Sequence, residues 1–291
     1  MKEMKESKVK TFFFCLWVII AVLLIQAGVS VIGILPKAVQ LMLETGGMGE
    51  EYMKRYQEYA MSGPVLMTLQ FTAEIVCIVV LGIWYYFGYV RKDKQKGIYK
   101  PIGKKYNLLK DTGFILSGCL AAWALAVLLQ IIVSSLMPKT NEAVGEMLNT
   151  ALGGGTQWMG IVTAVILAPI CEELTVRGII LQRSKRAFGV VGCVVMSAVM
   201  FGIFHLNPIQ GIYVLPLGLF WGFVGYKKNS FIPCVFCHML NNALGLFIPA
   251  SVNAIVMFIV FGVLTALIGV KTGYMSNNDT VDDVDNTVEE V

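Results

Sequence analysis

Ala168-Pro169-Ile170-Cys171-Glu172-Glu173-Leu174-Thr175-Val176-Arg177-Gly178 closes a long hydrophobic stretch and carries two adjacent acids into it. A charge at the centre of a bilayer costs about 2.5–3.5 kcal/mol even on insertion scales. A chain retains such a pair where another group neutralises it or a reaction uses it. The surroundings decide that this run is membrane-embedded. The 291 residues are 56% hydrophobic and only 14% charged, against about 25% charged in an average soluble domain. No hydrophilic stretch is long enough to bury a core of its own.

The predicted fold is therefore all-α, a polytopic membrane bundle of about eight transmembrane helices. At roughly 20 apolar residues per crossing, the spans fall at 11–35, 63–90, 112–136, 158–181, 190–206, 209–226, 231–248 and 251–270. The first has a basic start, but its apolar run is too long for a cleaved signal sequence, so it reads as a permanent helix. Basic residues set the orientation. Outer segments carry only Lys37, Lys54, Arg55 and Lys139, and every other Lys or Arg except Arg177 falls on the inner side when the N-terminus is inside. That gives N-in and C-in, which requires an even number of spans. The net charge of +4 then reflects basic loops at a membrane surface and excludes a nucleic-acid partner.

Four regions follow. Residues 1–157 hold the first three helices and a basic cytoplasmic loop at 91–110. Residues 158–250 hold the chemistry-bearing motifs. Residues 251–274 are the last helix, and 275–291 form an acidic tail with the composition of a disordered segment. Residues 36–60 read as a polar outer loop containing an amphipathic surface helix, and Gly153-Gly154-Gly155 as a flexible link. All seven cysteines fall in apolar segments and read as small buried hydrophobes. Cys234-Val235-Phe236-Cys237-His238 matches the haem-attachment string CxxCH, but it lies at the cytoplasmic end of a helix, the wrong side for that chemistry.

Within 158–181, Glu173 and Arg177 are spaced i,i+4 with the acid first, the favourable order for an ion pair on one helix face. Glu172 points about 100° away and is left as a candidate general base for water. His205 shares a face with Phe201, and His238 with Asn242, again at i,i+4. A histidine beside a carboxylate can move a proton. A histidine and an amide aimed at one point can hold an oxyanion. Glu172, His205 and His238 are equally a donor set for a divalent metal such as zinc. There is no HExxH motif, so a metal-bound water and a carboxylate-activated water both stay open, and no cofactor is assigned. Glu74 is a further intramembrane acid, a functional candidate or a partner for Arg177. Prolines 169, 208, 216 and 233 kink or begin helices around the site.

With these residues in hand, the region 158–250 resembles the CPBP family of intramembrane endopeptidases. That family includes CAAX prenyl proteases of the Ras-converting type and bacteriocin-processing or immunity proteins. Its motifs EExxxR, FxxxH and HxxxN are similar to Glu172-Glu173 with Arg177, Phe201 with His205, and His238 with Asn242. The resemblance implies an intramembrane peptidase of the glutamate type. Glu172 with His205 would activate water, His238 with Asn242 would hold the oxyanion, and Glu173 with Arg177 would order the site. It implies a membrane-embedded or lipidated peptide or protein as substrate, and the short cytoplasmic loops, multiple spans and lack of an organelle signal point to a multi-pass protein of the bacterial plasma membrane. The alternatives are a non-catalytic immunity or scaffold protein of the same fold, and a proton-coupled transporter. The transporter would be expected to show inverted repeats, and none is visible.

Overall fold

A computed structural model describes residues 6–99, 108–152, 157–247 and 253–274. Among these residues the regular structure is entirely helical. The elements are α1 (Lys8–Glu44), α2 (Glu50–Ala60), α3 (Gly63–Gln95), α4 (Leu108–Leu136), α5 (Pro138–Leu152), α6 (Gln157–Ser184), α7 (Val190–Phe204), α8 (Pro208–Tyr213), α9 (Leu215–Lys228), α10 (Ile232–Phe247) and α11 (Ala254–Thr272). Five of them, α1, α3, α4, α6 and α11, are long and apolar enough to cross a membrane. The shorter apolar segments Val190–Phe204 and Ile232–Leu246 join them, so the chain is a multi-pass, all-α membrane protein.

Two expectations need correction. Residues 36–44 are not loop: α1 runs through Pro36 to Glu44 before the surface helix α2 begins. A proline removes one backbone donor, and a helix in an apolar environment keeps its remaining bonds because no water competes for them. The stretch 209–226 is not one helix either. It divides into α8 and α9 at Val214, because Pro216 occupies the first turn of α9. Pro208 and Pro233 also sit at helix starts, in α8 and α10. The triple glycine and the acidic tail 275–291 lie outside the described residues, as does part of the 91–110 loop.

Helix α6 is the centre of the bundle. One buried cluster on its first side joins Val18 and Val22 of α1, Leu81 of α3 and Met200 of α7 to Cys171 and Ile180. A second joins Phe114 and Trp123 of α4, Phe201 of α7, Trp221 of α9 and Cys237 of α10 to Val176. The helix is not regular. Thr163–Leu167 and Leu174–Ile180 are π-helical, flanking the α-helical turn Ala168–Glu173. Such segments recur at functional sites because they re-aim side chains and free carbonyls. All seven residues of the second π segment are buried.

Helices α7 and α8 meet backbone to backbone. A Cβ on Gly202 would stand 2.7 Å from the Gly211 carbonyl oxygen, so only glycine allows the approach. Helix α7 stops at Phe204, and Leu206 takes a left-handed conformation with φ 52°. The Asn207 side chain then caps α8 by accepting from the amides of Ile209 (3.0 Å) and Gln210 (3.4 Å). This tight reversal holds His205 against the start of α8.

Candidate functional site

Three helices bring the charged residues together. Glu172 and Glu173 come from α6, His205 from the end of α7, and His238 from α10. They form two layers. In the inner layer Arg177 Nη1 donates to Glu173 Oε1 at 2.9 Å, and both side chains are fully buried. The guanidinium also donates from Nη2 to the Gly218 carbonyl at 2.9 Å. It stacks over Phe201 at 4.8 Å and near Trp221 at 5.7 Å. The same Oε1 of Glu173 accepts from His238 Nδ1 at 3.1 Å.

The outer layer is Glu172. Its Oε2 lies 3.7 Å from His205 Nε2 and 3.9 Å from His238 Nε2, and it makes no direct hydrogen bond. The tautomers follow from the opposite ring nitrogens. His205 Nδ1 is 2.8 Å from the Phe201 carbonyl, which only accepts, so Nδ1 carries the proton. His238 Nδ1 likewise donates to a carboxylate already paired with arginine. Each Nε2 is therefore aimed at Glu172 by an anchor on the far side of the ring.

These groups line an enclosed cavity of about 70 Å³, room for a few waters. Asn242 lines it too, but part of its amide is committed: Nδ2 donates to the Ala164 carbonyl in the first π segment at 2.7 Å. Its Oδ1 accepts from Asn241 Nδ2 at 2.8 Å. One N–H of Asn242 stays free for a ligand.

Sequence reasoning missed several lining residues. Asn241 faces the cavity, as do Gln210, Tyr213 and Trp221. Gln210 and Tyr213 are three apart in an otherwise apolar stretch, a spacing that places them on one helix face and was the available signal. Glu74 is not a partner for Arg177. Its Oε1 accepts from Gln70 (2.7 Å) and Gln26 (3.3 Å), in a polar patch where α1 and α3 meet Cys171 of α6.

The donor types at Glu172, His205 and His238 suit a metal, and anchored Nδ1 atoms are the usual support for zinc-binding imidazoles. Tetrahedral zinc with bonds near 2.0 Å sets its ligands about 3.3 Å apart, closer than the 3.7 and 3.9 Å found here. Among the described residues no group of three His, Cys, Asp or Glu side chains is arranged to hold a metal ion. All seven cysteines are free and buried.

Comparison with known proteins gives one family match. Residues 154–244, which contain every residue of both layers, match the family model described as type II CAAX prenyl endopeptidase, Rce1-like. Neither the curated proteins nor the solved structures give a significant match.

Proposed function

From the match of residues 154–244 to the type II CAAX prenyl endopeptidase family model, we propose that the chain is a CPBP-type peptidase and hydrolyses a peptide bond in a membrane-associated peptide or lipidated protein. The observation that carries the reading is the convergence of both Nε2 atoms on Glu172 Oε2 within 4 Å. A water bound among them gives a proton to Glu172 while His205 orients it. Its oxygen attacks the peptide carbonyl, and the carbonyl electron pair moves onto oxygen. His238 Nε2 and the free N–H of Asn242 face that oxyanion. Since His238 Nδ1–H is held by Glu173, an Nε2 donor requires the imidazolium. Collapse of the tetrahedral intermediate breaks the C–N bond, and the proton taken by Glu172 passes to the leaving amine.

The buried Glu173–Arg177 pair fixes the rotation of α6 and the ring of His238 without touching the reacting atoms. The substrate is a peptide held at the bilayer of a bacterial plasma membrane. The test compares new peptide termini by mass spectrometry in membranes carrying wild-type protein, Glu172→Gln or His205→Ala. Both variants are expected to accumulate the same uncleaved precursor. Identical termini in all three, with an immunity or assembly phenotype intact, would replace hydrolysis with a binding role.

A further inference from the structure

We propose that the indole N–H of Trp221 binds the attacking water, making Trp221 a further catalytic residue. The inference rests on the hydrolytic reading of this cavity. Trp221 is completely buried, it lines the cavity, and its Nε1 has no hydrogen-bond partner among the described residues. Glu172 lines the same cavity, and its Oε2 is also unpartnered among the described residues. Buried polar atoms are rarely left unsatisfied. One unpaired donor and one unpaired acceptor, on two side chains that line one cavity of about 70 Å³, are explained together by a water between them.

The geometry of water then fixes the roles. An indole N–H only donates, so Trp221 takes one lone pair of the water and is never its base. The two protons of the water go to the two acceptors, Glu172 Oε2 and His205 Nε2. The latter is an acceptor because its Nδ1 proton is committed to the Phe201 carbonyl. One lone pair remains, and it is the pair that attacks. The proton shared with Glu172 moves to the carboxylate as the new O–C bond forms. The ring is held for this task, with its centroid 4.6 Å from that of His238 and 5.7 Å from that of Phe201. Trp221 thus links the water to the histidine that faces the oxyanion.

The experiment replaces Trp221 in the full-length protein with 3-benzothienylalanine, which keeps the ring and exchanges N–H for sulfur. Trp221→Phe and Glu172→Gln accompany it. The probe is an internally quenched peptide with a farnesylated cysteine four residues from its C-terminus, cleaved by protein in liposomes. The isostere is expected to lower kcat about tenfold, the worth of one hydrogen bond, with KM and unfolding midpoint unchanged. An unchanged kcat overturns the proposal, as does a loss that follows the midpoint. A crystal structure with ordered solvent is the second arm, expected to place a water within hydrogen-bond distance of Trp221 Nε1 and Glu172 Oε2. An indole N–H satisfied elsewhere overturns the proposal. If wild-type and Glu172→Gln proteins are equally inert on the probe, the hydrolytic reading fails for that peptide, and the solvent structure still decides the contact.

Discussion

Glu172 and Glu173 are neighbours in sequence and opposites in surroundings. Glu173 is sealed, with an arginine at 2.9 Å and an imidazole at 3.1 Å. Glu172 is 16% exposed on a cavity and faces two imidazoles at distances too long for direct bonds. The inner layer is tied by its ion pair and by His238 and holds shape, with Glu173 Oε2 and Arg177 Nε the atoms left unpartnered there among the described residues. The outer layer makes no direct bond through Glu172 Oε2 and lies on a cavity, which is the condition for binding a reactant. One helix supplies both because adjacent residues diverge by about 100°, and the π segments on either side let the two faces meet different helices.

The contrast is broken or sharpened first at Arg177. Arg177→Ala leaves Glu173 charged and sealed, and breaking a buried pair costs about 3–5 kcal/mol. The drop is read from the unfolding midpoint in detergent. Replacing both partners together, Glu173→Leu with Arg177→Met, is expected to cost less than Arg177→Ala alone. A double variant that is the worse of the two would mean the pair does more than neutralise itself. Next comes Glu172→Gln, expected to move stability by no more than about 1 kcal/mol, since it removes a charge whose partners are distant. The same change is expected to lower turnover by roughly 10²–10⁴, the worth of a general base, read with the termini comparison above. Destabilisation as large as that of Arg177→Ala would erase the distinction between the layers.

Local spacing carried part of this site. The i,i+4 relation of Glu173 to Arg177 is a property of one helix, and the ion pair is there at 2.9 Å. The hydropathy pattern likewise gave the helical class, because membrane length and apolarity are local quantities. What spacing could not give is convergence between helices. His238 reaches Glu173 across 65 residues, and Trp221 enters the cavity from a helix whose composition is that of ordinary core. The break at Val214 was equally hidden, since an apolar run with one proline reads as a kinked helix or as two. The second asparagine, Asn241, lies about 100° round the helix from Asn242. It joins the cavity by bonding its neighbour's side chain, an option that a one-helix projection does not contain.

The smallest effect is expected at Glu74, where a third arrangement tests how far the contrast extends. This acid is buried and amide-bonded like a sealed residue, with Gln70 and Gln26 on Oε1, yet its Oε2 has no partner. It has neither the arginine of Glu173 nor the cavity of Glu172. An acid without a countercharge in this setting behaves as a shape-matched hydrogen-bonding group, and Gln reproduces that shape. Glu74→Gln is therefore expected to change the unfolding midpoint by less than about 1 kcal/mol equivalent and turnover by less than about twofold. Glu74→Ala strands both glutamines and costs about 1–3 kcal/mol. Turnover collapsing in Glu74→Gln at full stability would show that a charge behind α6 acts on Glu172, and the site would then have three layers.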